Sequence, residues 1–168
     1  APSALAEDRE AAPAPSEAQR AAAERGILIH QLLERLAPVL PLERHATALR
    51  WLEQSAGVMD AEARLEIAGT VCTVLSDPRF SALFGESSLA EAPLAAALPD
   101  GRVVAGTVDR ILVEPKRVSV IDFKTGKVPD SESAIPASHK AQMSAYSEAL
   151  RVIFPGREVR AALLYTSG

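Results

Sequence analysis

The chain has 168 residues, enough for one domain with a sizeable core. With 48% hydrophobic and 24% charged residues it has the composition of a globular protein, not of a disordered or fibrous one. A formal net charge of −4 argues against strong autonomous binding to nucleic acid, which usually needs a basic excess, yet it suits a site that gathers carboxylates around a cation.

Aromatic residues are only 4% and alanine is abundant, which leans towards helix and away from an all-β sandwich. The single cysteine, Cys72, excludes an intrachain disulfide and a cysteine-rich zinc or iron–sulfur centre. It reads as a small buried hydrophobe on a helix. No apolar run reaches the roughly 18 residues of a membrane span, and the N-terminus lacks the basic and apolar segments of a secretory signal. A cytoplasmic setting without a membrane partner is expected, and the missing initiator Met suggests a fragment or a processed N-terminus.

Residues 1–15, rich in Ala, Pro and acids, read as a disordered linker. Ser16 is a candidate N-cap for a helix that carries Ile27, Leu32, Leu33 and Leu36 at helical spacing and breaks at Pro38 and Pro41. A second helix is expected over about 42–56, stopping near Gly57, and a third from the N-cap candidate Asp60 to Leu75, closed by Asp77-Pro78. Residues 81–84 read as a helical turn before Gly85.

The pattern then changes to strand. Residues 102–114 and 117–125 are β-rich runs, and 91–98 is a strand candidate despite its alanines; turn signals at Pro99-Asp100-Gly101 and Pro115-Lys116 separate the three, which predicts an antiparallel meander. Residues 126–136 form a polar loop, 137–153 an amphipathic helix ended by Pro155-Gly156, and 158–166 a last strand. The order predicts an α/β fold: a small mixed sheet flanked by helices, with an N-terminal helical segment. The last strand, reached by a helical crossover, can lie parallel to a central strand.

Four elements place polar residues where apolar ones are expected. In VIDFKTG, Asp122 and Lys124 share one face of a strand while Ile121 and Phe123 share the other. Buried together they can form a structural ion pair, or they can line a site. In AGTVDRIL, Asp109 interrupts a neighbouring strand, and pairing through the Pro115 turn would point both acids at one spot. Two carboxylates without thiols make a hard-oxygen site suited to magnesium or manganese. Gly106 on that strand would admit a close approach of backbone or substrate. On the helix SHKAQMSAYSEAL, Gln142 and Tyr146 lie four residues apart on one face. In RGILIHQLLE, His30 stands among Ile27, Leu33 and Leu36, and an imidazole can serve as a further ligand. Taken singly each feature is ordinary helix or strand decoration; their joint occurrence in this order is not. His45 and His139 lack such support and read as surface residues.

These motifs together resemble the RecB-like branch of the PD-(D/E)XK nuclease superfamily, and within it the C-terminal nuclease domain of AddA-type helicase–nuclease subunits. RGILIHQLLE resembles the R-G-x-x-x-H-x-x-L-E helix, GTVDR the G-x-x-D-R strand, VIDFKTG the D-x-K strand and QMSAY the Q-x-x-x-Y helix. The ending FPGREVRAALLYT and the stretch SALFGESSLAEAPLAA are also similar to that group. The likeness covers roughly residues 20–168, so 16–168 is expected to form the nuclease domain. Val108 stands where the superfamily's name has Pro, as the RecB-like branch generally allows. No Walker motif is present, so an ATPase would lie upstream of this segment.

The resemblance implies a restriction-endonuclease-like core that hydrolyses DNA in an exonuclease manner during double-strand break repair and homologous recombination. It implies Mg²⁺, with Mn²⁺ as a substitute, held by His30, Asp109, Asp122 and the backbone of Phe123. Lys124, Gln142 and Tyr146 would complete the catalytic set, and Arg110 and Lys127 would contact the DNA backbone. The implied partners are DNA, upstream helicase domains of the same chain and an AddB-like second subunit. The rival expectation is a silent nuclease-like module that docks DNA or a partner subunit.

Overall fold

The computed structural model describes residues 13–127 and 129–167, without the side chains of 125–127 and 167. Of the expected linker, residues 1–12 lie outside the described residues and 13–15 are exposed coil. Helix α1 spans Glu17–Leu36. Ser16 starts it by a reciprocal cap: its hydroxyl accepts from the N–H of Gln19, and the Gln19 side chain accepts from the N–H of Ser16. Ile29, Leu32, Leu33 and Leu36 bury one face. Beyond the helix the Arg44 guanidinium donates to the carbonyls of Leu36, Ala37 and Val39, groups that a helix end leaves without partners.

Pro41–Glu43 form a single 3-10 turn before α2, Arg44–Gln54, so the second helix begins slightly later than its pattern predicts. Helix α3, Ala61–Ser76, is capped by the Asp60 carboxylate, which accepts from Glu62 N–H at 3.0 Å. Strand β1 spans Ser88–Ala97, three residues earlier than the alanine-rich run alone indicates, since residues 88–90 also pair. Strands β2, Val103–Val113, and β3, Arg117–Lys127, are joined by the two-residue turn at Pro115-Lys116. β3 continues two residues into the expected loop, with a register irregularity between Lys124 and Lys127. Helix α4 spans Ala137–Ile153 and β4 spans Glu158–Ser167.

The sheet order is β1-β2-β3-β4. The first three strands are an antiparallel meander, and α4 carries the chain across so that β4 runs parallel to β3. Helices α1, α2 and α3 pack on one face against Phe84, Ile121, Phe123 and Leu164. On the other face α4 packs through Tyr146 and Leu150 against Val108, Ile111, Val118 and Val120. No described helix is long and apolar enough to cross a membrane.

Two departures from regular pairing shape the middle of the sheet. The β2–β3 ladder runs from Val113–Val118 to Arg110–Ile121 and stops there. From that point β2 pairs with β1 and β3 pairs with β4, so the sheet forks. The second departure is a break in the alternation of β2. Val108 and Ile111 both pack on the α4 side, and the two residues between them, Asp109 and Arg110, both reach α1. Across from this break Glu91 of β1 has φ of 48°, the only non-glycine positive φ among the described residues. Such local irregularities re-aim side chains at the cost of strain.

Candidate active site

The fork is where the acids meet. One step past the last rung, Asp109 of β2 stands opposite Asp122 of β3. The Asp109 carboxylate accepts from the Phe123 N–H at 2.6 Å, which fixes it across the gap between the strands. The two carboxyl groups are close enough to share a hydrogen bond, and Lys124 Nζ sits 2.9 Å from Asp122 Oδ2. From α1, His30 Nε2 lies 3.1 Å from Asp109 Oδ1, off the line of a well-formed hydrogen bond, so this buried nitrogen has no hydrogen-bond partner. The imidazole is held edge-on to the Phe123 ring, which itself stacks on Phe84.

From the other face α4 brings Gln142, whose side-chain oxygen accepts from Lys124 Nζ at 2.9 Å. The Gln142 amide donates to the Tyr146 hydroxyl at 3.5 Å, a long contact. Tyr146 is buried and its ring lies over Gly106, where a Cβ would overlap the hydroxyl. The absent side chain at Gly106 therefore makes room for a tyrosine, not for the backbone or substrate expected from the sequence.

Burial pushes the Asp122 carboxyl up to about 6, helped by its hydrogen bond with Asp109 and opposed by Lys124. Burial also pushes Asp109 upward, but its contacts with His30, Asp122 and the Phe123 N–H outweigh that and hold it below the usual carboxylate range. The pair behaves as one acid that keeps a proton and one that does not. The Asp109 contact raises His30 above the ordinary imidazole value, against burial.

His30, Asp109, Asp122, Lys124, Gln142 and Tyr146 are thus brought together. The contact that Phe123 makes with the acids is through its N–H. The Lys127 side chain lies outside the described residues. Arg110 requires a correction: it is buried, not open to a phosphate. Its guanidinium donates to the Leu83 carbonyl, to Ser88 Oγ at 2.9 Å and to Glu34 Oε2 at 2.8 Å, and lies over the Phe84 ring. Burial pushes the Glu34 carboxyl up, against the attraction of Arg110. The pair ties α1 to β2 one helical turn from His30 and one residue from Asp109. His45 is exposed, as read from the sequence, but His139 is not a plain surface residue: its Nδ1 lies 3.0 Å from the Tyr165 hydroxyl. The available signal was that His139 lies three residues before Gln142, on the same helix face.

Among the described residues no three His, Cys, Asp or Glu side chains form a ready-made metal cluster. The donors at the fork nevertheless fit a hard divalent ion: two carboxylates, and a buried imidazole nitrogen aimed at them without a hydrogen-bond partner.

Arg110→Ala would leave the part-buried Glu34 carboxylate unpaired, so it is expected to cost about 1.5–3 kcal/mol in urea unfolding. A loss under about 1 kcal/mol would mark the pair as an ordinary hydrated one. Asp122 binds its proton more tightly folded than unfolded. Its stabilising contribution is full below its ordinary value of 3.8 and lost as pH rises through about 6. Asp109 has the opposite sign, its contribution lost as pH falls through its depressed folded value. The neutral isostere Asp122→Asn should therefore raise Tm in EDTA by about 2–4 °C at neutral pH. That gain should shrink below about pH 5. A pH-independent difference in Tm would contradict the raised Asp122 value.

No curated protein matches the chain. Two solved structures are similar to it at low identity. The Vibrio cholerae protein VC1899 is 17% identical over 86% of this chain and 48% of its own, with a TM-score of 0.33. SSO0001 is 18% identical over 83% of this chain and 71% of its own, with a TM-score of 0.32. The chain thus spans about half the length of VC1899. The family model described as the PD-(D/E)XK nuclease superfamily matches residues 4–167. With a mixed four-stranded sheet between helices, a restriction-endonuclease-like fold, the chain belongs to the PD-(D/E)XK nuclease superfamily.

Proposed function

We propose that this chain is a divalent-metal-dependent deoxyribonuclease domain that hydrolyses DNA phosphodiester bonds in an exonuclease manner. The observation that carries the reading is the meeting of His30, Asp109, Asp122 and Lys124 at the fork between β2 and β3. Asp109, Asp122 and His30, with the Phe123 carbonyl, would hold Mg²⁺, and the imidazole makes Mn²⁺ an effective substitute. A bound divalent ion supplies Lewis-acid polarisation of the phosphate and a more acidic water.

The chain's own residues do the rest. Lys124 orients the water whose oxygen attacks phosphorus and offsets the negative charge that grows as the P–O bond to the leaving oxygen breaks. Asp122 and Gln142 hold Lys124 Nζ from two sides, which limits the positions the ammonium can take. Tyr146 steadies Gln142 from the next turn of α4. Such preorganisation is worth more in a partly dry cleft than in water.

The motif order supports a finer placement, as the C-terminal nuclease domain of an AddA-type helicase–nuclease acting in break repair and recombination. ATP-dependent helicase domains would lie upstream and an AddB-like subunit beside it. A net charge of −4 supports the idea that those parts deliver the DNA.

Mg²⁺ or Mn²⁺ should support cleavage of linear DNA by the wild type, and EDTA should abolish it. Lys124→Ala should lose about 100- to 1,000-fold in kcat with its melting profile kept. Asp122→Ala should be inactive. Equal cleavage by wild type and Lys124→Ala would refute the assignment, and metal-independent DNA retention without cleavage would favour a docking module.

A further inference from the structure

Helix α4 offers the sheet a polar stripe longer than its Q-x-x-x-Y motif. His139, Gln142 and Tyr146 lie at i, i+3 and i+7, one face of a helix. Each meets a different strand: Tyr146 covers Gly106 of β2, Gln142 binds Lys124 of β3, and His139 meets Tyr165 of β4. Tyr165 is the register partner of Lys124 across the parallel β3–β4 ladder. Paired residues in a sheet project to the same face, so the phenol and the ammonium stand side by side. His139 and Tyr165 are both half-buried, and neither is sealed from solvent.

We propose that His139 and Tyr165 form a phosphate-contact subsite next to Lys124, gripping a DNA backbone phosphate beside the one that is cut; the inference rests on the nuclease reading above. The chemistry follows from proton count. If the imidazole carries its proton on Nε2, the Tyr165 hydroxyl donates to Nδ1 and Nε2–H is left free. If the proton is on Nδ1, that N–H donates to the phenol oxygen and the phenolic O–H is left free. In either tautomer the pair keeps one outward donor beside a lysine, which is what a phosphate oxygen accepts from. Burial, and then the Lys124 charge, hold the His139 imidazole below its ordinary value, so the ring is neutral near pH 7 and both tautomers are open to it. An open groove of about 710 Å³, lined by Tyr165, Lys140, Ile135, Met143 and Leu163 with Glu132 at its wall, opens on the Tyr165 side of the pair and gives a strand somewhere to lie.

The residues grip rather than cut, so binding and turnover should separate. The probes are a fluorescein-labelled single-stranded oligonucleotide titrated by anisotropy in EDTA, and the same oligonucleotide as substrate with Mn²⁺. Tyr165→Phe keeps the ring and removes only the hydroxyl; His139→Ala removes the other half, and His139→Gln keeps a donor. Each donor is held in place by its hydrogen bond to the other, so Tyr165→Phe and His139→Ala, which each break that bond, should each raise Kd and KM by about tenfold. Their kcat should stay at the wild-type value, and the double variant should be no weaker than either single one. His139→Gln should recover part of the loss. Unchanged Kd and KM in Tyr165→Phe, or losses that multiply in the double variant, overturn the subsite while leaving the nuclease reading intact. A wild type that neither binds nor cuts the oligonucleotide overturns both.

Discussion

Two carboxylates pressed together where the sheet parts are the constraint on which the rest of the structure depends. Unit charges of one sign about 4 Å apart repel by about 4 kcal/mol at an effective dielectric constant near 20. Asp109 and Asp122 cannot both stay ionised there without help. The fold answers with a lysine from the same strand face, an imidazole from α1 and a backbone N–H from Phe123. Asp122 still keeps its proton to about pH 6. Two carboxyl groups held this close gain from any positive charge beside them, which is what Lys124 supplies to Asp122.

The supporting architecture follows from that demand. Helices on both faces must reach one point, which an unbroken sheet would prevent. The fork opens a passage through the sheet, and the break in alternation at Asp109-Arg110 turns two consecutive side chains to the same helix. One of them serves the site and the other anchors it. The Glu34–Arg110 pair is part-buried, and pairs taken out of water add little net stability over an apolar pair of similar size. What it contributes is placement: α1 is held in register with β2 within one turn of His30.

Much of this was legible in the sequence because it is local. Ser16 and Asp60 announce helix starts, Pro115-Lys116 announces a hairpin, and the period-two spacing of Asp122 and Lys124 puts both on one face. Asp109, His30, Gln142 and Tyr146 stood out as polar residues in apolar settings. Arg110 did not declare itself correctly, because an arginine beside a site acid reads as a phosphate ligand until its partner, 76 residues away in sequence, is known. Gly106 and Tyr146 form one device, yet each is unremarkable alone. Tyr165 was hidden for the same reason: a tyrosine in a β-rich run looks like ordinary strand packing until the parallel register with Lys124 is known. The early start of β1 at Ser88 and the strand beyond residue 125 were set by pairing partners, not by their own composition.

The fork has a mechanical side as well. The β1–β2 ribbon and the β3–β4 ribbon are stitched by four ladder pairs at one end only, from Val113–Val118 to Arg110–Ile121. Past that seam, among the described residues, only side chains and the Asp109–Phe123 contact span the opening. Separating the two ribbons there would therefore break the Asp109–Phe123 hydrogen bond and the grip of α4 on Gly106 and Lys124 before any β-ladder pair, so side chains and not backbone pairing set the width of the gap.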